Sequence, residues 1–137
     1  MKTKNKYPNG WRQKSIEILE KEKWVEPDEY PTGLIERCFK LRKIPVDKLG
    51  IEDLRTLIGQ QIGLEFLIPI AIEMLTSDIL SEGDLYRGDL LQSVLRVDVS
   101  FWKQNLDYQQ QISELIKNRR DEIEAEGIDR KQFDGLN

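Results

Sequence analysis

Carboxylates are the side chains best suited to chemistry in this 137-residue sequence, which contains no histidine. Histidine is the usual proton-transfer group near neutral pH and the commonest metal ligand, so its absence makes catalysis less expected. Glycosidase chemistry needs two carboxyl groups flanking one bond, and the candidate pairs are Glu82 with Asp89 and Glu65 with Glu73. Glu65 and Glu73 would be about 12 Å apart along a helix axis, which is long for one bond. We predict a solvated acidic face, no catalytic residues and no enzyme.

The stretch from Gly83 to Gly88 has the glycine spacing of a phosphate-binding loop. Such a loop continues with Lys-Ser or Lys-Thr, whereas Asp89-Leu90 follows here and places negative charge where phosphate would lie. The stretch also matches a calcium loop poorly, because Leu80 occupies the third ligand position and Asp89 replaces the final glutamate. We therefore predict an acidic turn whose aspartates cap helices, with no metal and no other cofactor.

The single cysteine, Cys38, is the remaining candidate nucleophile. It lies among apolar residues at helical spacing, and the sequence offers no histidine to act as its base. A buried structural thiol is the expected role. One cysteine also excludes an internal disulfide and a metal site built on thiolates.

Charge is unevenly distributed along the chain, although the total is only −4. Residues 1–14 carry five bases and no acid, whereas residues 49–100 carry nine acids against three arginines, a net −6. The basic arm and the cluster Arg37–Lys43 favour RNA or a membrane surface. The acidic centre instead repels phosphates and attracts basic surfaces. On balance we predict a protein partner, no nucleic acid and no membrane.

Apolar residues recur at helical spacing, and the alternation typical of strands is missing nearly everywhere, with VLRVDV as the best strand candidate. Helix starts are marked by Ser15, Thr32 and either Asp47 or Gly50, and a last helical region starts at Ser100. We predict an all-α fold, a single compact helical bundle of five to seven helices around a buried central helix at about 62–76.

Three segments are expected along the chain. Residues 1–14 are predicted to be a flexible basic arm with a turn at Pro8-Asn9-Gly10. Residues 15–118 form the all-α domain, and residues 119–137 form a charged extension that is helical and then frayed.

The central helix is predicted from GQQIGLEFLIPIAIEML, residues 59–75, whose apolar side chains surround nearly the whole circumference. Glu65, Pro69 and Glu73 fall on one narrow stripe, which we expect to reach the surface. Pro69 leaves the carbonyl of Glu65 without its donor, so it should kink the helix or start a new one. The two glutamates also interrupt the best candidate for a membrane span.

The segment IEDLRTLIGQQIGLEFLIPIAIEML, followed by LSEGDLYRGDLL and FW, resembles an all-helical family of immunity proteins from bacterial contact-dependent growth inhibition systems. The resemblance extends from about Lys14 to Lys117. Its most specific parts are Leu54-Arg55, Ile58-Gly59-Gln60, Gly63-Leu64, Leu67 with Pro69, Glu82-Gly83-Asp84, Tyr86, Gly88-Asp89-Leu90-Leu91 and Phe101-Trp102.

The resemblance implies a cytoplasmic protein that binds and neutralises the cognate C-terminal toxin domain of a large exported adhesin. It implies no catalytic residues, and it implies a toxin that is often a nuclease. The acidic centre suits such a partner, because a nuclease must itself be basic to hold nucleic acid. We expect the protein to be a monomer before it binds the toxin. The basic N-terminus is not followed by the apolar stretch of a secretory signal, which agrees with the cytoplasm.

Toxin contacts do not transfer between family members that face different toxins, so the interface is predicted from exposed charge. The predicted toxin-binding residues are Glu65, Glu73, Asp78, Glu82 and Asp98. The motif residues are assigned to the scaffold: Gly59 and Gly63 to close helix approach, Asp84 and Asp89 to helix caps, and Tyr86 and Trp102 to the core.

Two alternatives stay open. The first is a non-catalytic helical adaptor or homodimeric scaffold, in which the apolar residues of the fourth helix form an interface instead of a core. The second is an enzyme acting through carboxylates, which requires two acids converging in a deep pocket with raised pKa values.

Overall fold

The computed structural model describes residues 7–136, and that range contains helices and no strand. Two 3₁₀ turns occupy Trp11–Gln13 and Val46–Lys48. The α-helices are α1 (Ile16–Glu20), α2 (Gly33–Leu41), α3 (Ile51–Gly59), α4 (Leu64–Ser77), α5 (Asp89–Leu95), α6 (Val99–Gln104), α7 (Leu106–Asn118), α8 (Arg120–Ala125) and α9 (Lys131–Asp134). The predicted all-α fold class is confirmed, and VLRVDV lies at the junction of α5 and α6 instead of in a strand.

The described range holds more helices than the five to seven predicted, because the helical region beginning near Ser100 is interrupted. Asn105 (φ −138°, ψ 61°) separates α6 from α7, and Arg119 (φ −131°, ψ 26°) separates α7 from α8. Neither break contains the glycine or proline that marks an interruption in a sequence. Tertiary packing, and not local propensity, therefore sets these boundaries.

The chain divides between Leu49 and Gly50 into two compact units. In the first unit, the Ser15 and Thr32 hydroxyls accept hydrogen bonds from the N–H groups of Ile18 (3.3 Å) and Ile35 (3.1 Å), so the predicted caps start α1 and α2. The predicted turn at Pro8 also forms, since its carbonyl accepts from the N–H of Trp11 at 3.1 Å. Residues 1–6 of the predicted arm lie outside the described residues, and the segment boundaries 1–14, 15–118 and 119–137 stay predictions.

Arg42 contradicts the view of Arg37–Lys43 as an exposed basic cluster. Its side chain is buried, donates hydrogen bonds to Glu20 Oε1 (2.8 Å) and to the carbonyl of Glu22 (2.9 Å), and lies over the Trp24 ring at 4.1 Å. A guanidinium can be buried when acceptors and an aromatic face replace water. Lys40 and Lys43 also pair with acids, Glu36 (3.0 Å) and Glu26 (3.3 Å), so the cluster is locally neutralised.

In the second unit, α4 packs against α3, α5 and α7. The predicted buried central helix is therefore confirmed, with Leu64–Ser77 as its bounds. Because its apolar side chains are buried within the chain, they are not available as the dimer interface that the scaffold alternative requires. The buried residues of α4 are Phe66, Leu67, Ile68, Ile70, Ala71, Ile72 and Leu75.

The polar stripe of α4 reaches the surface as predicted. Glu65 and Glu73 are exposed and Pro69 is half-buried. One α-helix runs through Pro69, which rules out a new helix starting there. The helix instead starts because Gly63 adopts a left-handed conformation (φ +65°) that glycine tolerates without strain.

Gly59 does not mark a close helix approach. A Cβ atom built there would meet only Ser93 Oγ at 3.9 Å, an ordinary van der Waals contact. The predicted role of this glycine is therefore wrong.

The charged segment after residue 118 is attached to the second unit by a few side chains. Ile123, Ile128 and Phe133 are buried, and the Phe133 ring packs edge-on against Trp102 at 5.3 Å. The Gln92 side chain exchanges two hydrogen bonds of 2.9 Å with the backbone of Asp129. These contacts are made by single apolar residues within a charged stretch and by one glutamine. They have no regular spacing, so sequence periodicity does not reveal them.

Substitution of Gly88 tests this packing. Gly88 has φ +91°, and an added Cβ would lie 2.8 Å from Ile128 Cδ1. Gly127 also has a positive φ (+72°), but nothing lies within 4 Å of its added Cβ. Gly127→Ala should cost only the backbone strain, roughly 1–2 kcal/mol of unfolding free energy. Gly88→Ala should cost about 1–3 kcal/mol more, from overpacking, in urea denaturation. Equal losses for the two variants would contradict the packing of Ile128 on Gly88.

Candidate functional site

All five predicted toxin-binding acids are exposed. Glu65 and Glu73 lie on α4, Asp78 directly follows it, Glu82 lies in the connection to α5, and Asp98 precedes α6. They therefore belong to three separate segments and do not form one compact cluster along the chain. Asp78 also has a local structural role, since its Oδ1 accepts from the N–H of Leu80 at 3.1 Å. Whether the five acids contact a toxin stays a prediction.

Asp89 is the best-buried carboxylate of the acidic centre, with 2% of its surface exposed. Its Oδ1 accepts a hydrogen bond from the N–H of Gly83 at 2.6 Å. Its Oδ2 accepts from the N–H groups of Leu85 (3.0 Å) and Tyr86 (3.3 Å). Asp89 does not cap the start of α5 as predicted. It holds the preceding loop, which we call the 83–86 loop.

Glu52 and Arg55 complete this network from α3. Glu52 Oε1 accepts from the N–H of Asp84 at 2.8 Å and from Arg55 Nε at 2.7 Å, and Glu52 Oε2 is 2.5 Å from Arg55 Nη2. Arg55 Nε is also 3.8 Å from Asp89 Oδ2. The hydrogen bonds to Glu52, with the charges of Glu52 and Asp89, raise the pKa of Arg55 even though its partial burial opposes this. The two carboxylates therefore stabilise the charged form of Arg55.

Gly83 leaves space for the carboxylates of the same network. A Cβ atom there would lie 2.5 Å from Glu52 Oε1 and 3.1 Å from Asp89 Oδ2. The two glycines of the phosphate-loop pattern thus serve internal packing. The backbone N–H groups of residues 83–86 point at Asp89 and Glu52, so protein carboxylates occupy the place where an external anion would bind.

Two large side chains of the 83–86 loop lie at the surface beside the exposed Asp84. Leu85 is 62% exposed and Tyr86 is 44% exposed. Tyr86 was predicted to fill the core, and this is wrong: its backbone is held by Asp89 while its side chain lies at the surface. Trp102, assigned to the core with it, is fully buried as predicted.

A cavity of about 260 Å³ adjoins this loop. Arg55 and Asp89 belong to the network described above, whereas Arg96 has no acidic partner in the part of the chain that the structure describes. The lining residues are Arg55, Gly59, Gln60, Gln61, Leu85, Tyr86, Asp89, Gln92, Ser93 and Arg96.

A second depression, of about 460 Å³, runs between α4 and α7. Ile72 and Leu115 provide apolar surface there, and Asp107 and Glu114 provide negative charge. No lysine or arginine lines it. The depression continues the acidic character of the polar stripe on α4.

Other candidate chemistries receive no support from the described residues. Glu82 is exposed, whereas Asp89 is buried and accepts three backbone hydrogen bonds, so Asp89 serves to hold the 83–86 loop. Burial raises the pKa of the Cys38 thiol, against a smaller opposing effect of Arg37, so the thiolate is disfavoured. Within residues 7–136, no helix is long and apolar enough to cross a membrane, and no group of three or more potential ligands is arranged to hold a metal ion.

Removal of the Asp89 charge tests the network. Asp89→Asn leaves Arg55 with one carboxylate fewer and replaces one acceptor oxygen by a donor that faces backbone N–H groups. We expect a loss of about 3 kcal/mol or more of unfolding free energy, as for a broken buried ion pair. The matched control, Glu82→Gln, removes one charge at an exposed position of the same connection and should change stability by less than about 0.5 kcal/mol. An Asp89→Asn protein as stable as the control, in urea denaturation, would contradict the network.

Comparison with known proteins gives one result. The sequence matches the family model described as CDI immunity proteins over residues 18–112, more than half of the chain. No curated protein and no solved structure matches the chain. The matched range includes the Glu52, Arg55 and Asp89 network and ends within α7.

Proposed function

The chain belongs to the CDI immunity proteins, and we propose that it binds and neutralises one cognate toxin, the C-terminal domain of an exported adhesin used in contact-dependent growth inhibition. The family match over residues 18–112 is the observation that carries this proposal. In this function the protein acts by binding alone, in the cytoplasm of the cell it protects, and it is a monomer until the toxin arrives.

We further propose that the toxin is a nuclease with a basic surface. Residues 49–100 carry a net charge of −6, from nine acids and three arginines, and the five predicted interface acids within them are exposed. A nuclease needs positive charge to hold its phosphate backbone, and that charge attracts an acidic inhibitor. Covering the basic surface excludes the nucleic acid, so inhibition requires no chemistry.

Copurification is the direct test of the proposed function. The chain is coexpressed with an affinity-tagged, catalytically inactive form of the adhesin C-terminal domain that we expect a neighbouring gene to encode. We expect a complex of one chain with one toxin domain that survives size-exclusion chromatography, and recovery of growth when the active toxin is induced together with the chain. Failure of the purified pair to associate at low salt would contradict the proposed function.

The acidic stripe on α4 should accelerate association with the toxin. The double variant Glu65→Lys/Glu73→Lys should lower the association rate roughly tenfold at low salt, because electrostatic steering contributes at least that much to fast protein association. The double variant Asp28→Lys/Glu29→Lys changes two exposed acids of the first unit and alters the net charge by the same amount.

Stopped-flow mixing with the inactive toxin domain gives the rates at low and high salt. The α4 variant should differ from the control at low salt and approach it at high salt, because salt screens the attraction. Equal rates for the two double variants at low salt would show that net charge alone matters and would contradict a role for the α4 stripe.

A further inference from the structure

The 83–86 loop exposes two adjacent side chains, and hydrogen bonds within the chain already hold its backbone in place. The N–H groups of Gly83, Leu85 and Tyr86 donate to Asp89, and that of Asp84 donates to Glu52. Four consecutive backbone groups are therefore held by buried or half-buried carboxylates, while Leu85 and Tyr86 are 62% and 44% exposed. A surface with a fixed backbone loses little conformational entropy when it binds, which favours affinity.

The cavity beside this loop has one exposed arginine within an otherwise acidic region. Arg55 and Arg96 line it together with Asp89, but the carboxylates of Glu52 and Asp89 offset the charge of Arg55, so Arg96 supplies the available positive charge. Arg55 is held by Glu52 at 2.7 Å, but no acidic side chain within residues 7–136 pairs with the exposed Arg96. The side-chain amides of Gln60 and Gln61 add polar groups around the same space, with Gln61 Oε1 already accepting from the N–H of Asp98 at 3.1 Å.

We propose that this loop and cavity anchor the cognate toxin domain, with an apolar depression of the toxin covering Leu85 and Tyr86 and one toxin carboxylate entering the cavity to pair with Arg96. The inference rests on the proposed function and names the surface that holds the toxin. We call the three side chains the anchor. They combine a tyrosine and an arginine, two of the residue types that dominate binding energy at protein interfaces, with an apolar neighbour.

Charge complementarity selects a carboxylate as the occupant of the cavity. The surroundings of the anchor carry the exposed acids Glu82, Asp84 and Asp98, which repel acidic surfaces that approach in any other register. A single acid of the toxin can approach Arg96 favourably while neighbouring basic residues of the toxin meet these surrounding acids. Such an alternation of charge fixes the orientation of a complex in addition to its affinity.

The anchor is tested by affinity measurements against matched controls. The probe is the same inactive toxin domain as in the copurification, titrated into each purified variant in a calorimeter. The double variant Leu85→Ala/Tyr86→Ala should raise Kd about thirtyfold, as expected when residues that dominate the binding energy are truncated. Arg96→Glu should raise Kd about tenfold. The control Leu106→Ala changes a leucine that is 65% exposed at the start of α7, and Arg120→Glu reverses an exposed arginine of α8. Both controls should bind within about twofold of the unmodified chain.

The outcomes separate the anchor from the proposed function. If the anchor variants bind within about twofold of the unmodified chain, or if Leu106→Ala weakens binding more than they do, the anchor is overturned while the immunity function stands. If the unmodified chain fails to bind the toxin domain, both are contradicted. Unfolding midpoints equal to that of the unmodified chain show that each surface variant is folded. A toxin Asp or Glu whose change to Lys restores binding to Arg96→Glu would identify the carboxylate in the cavity.

Discussion

The second unit depends on the hydrogen bonds and the ion pair made by the buried carboxylate of Asp89. A desolvated charge is costly unless hydrogen bonds and an opposite charge replace its water. Asp89 receives three backbone hydrogen bonds from the 83–86 loop and faces Arg55, which is held in turn by Glu52. These contacts connect α3, the loop and the first residue of α5, so the position of the loop is set by side chains from both helices. Two carboxylates occupy the space beside Gly83, where a side chain would otherwise lie.

Much of the architecture could be predicted from the sequence, because it depends on local pattern. The apolar circumference of α4 and its polar stripe indicated a central helix, and Ser15 and Thr32 indicated helix starts. The contacts that depend on side-chain partners distant in sequence could not be predicted. Arg42 follows an exposed-looking basic run yet is buried because Glu20 and Trp24 surround it. Tyr86 was assigned to the core as a residue of the family resemblance, yet Asp89 holds only its backbone and its side chain is exposed.

In the candidate site, too, some features could be predicted from the sequence and others depend on residues distant in sequence. Exposure of the five acids followed from helical periodicity and composition, so sequence was sufficient for that part. The surface formed by Leu85, Tyr86 and Arg96 was not visible in the sequence, because its construction requires α3, α5 and the 83–86 loop to meet. The glycine spacing between Gly83 and Gly88 was a usable signal. It marks a loop whose backbone N–H groups surround an anion, and the anion is supplied by the protein itself.

An immunity protein needs fast capture and a stable complex, and the described residues provide a physical basis for each. In the function that we propose, the exposed acids on α4 would favour rapid encounter with a basic toxin, and the fixed loop with Leu85, Tyr86 and the nearby Arg96 would favour slow dissociation. Coculture shows whether this chain protects a cell from its cognate toxin. Recipient cells with or without the gene are mixed with inhibitor cells that deploy the cognate adhesin, and surviving recipients are counted. We expect recipients that express the chain to survive as they do beside inhibitor cells whose toxin is inactive. Equal killing of recipients with and without the chain would contradict the proposed function.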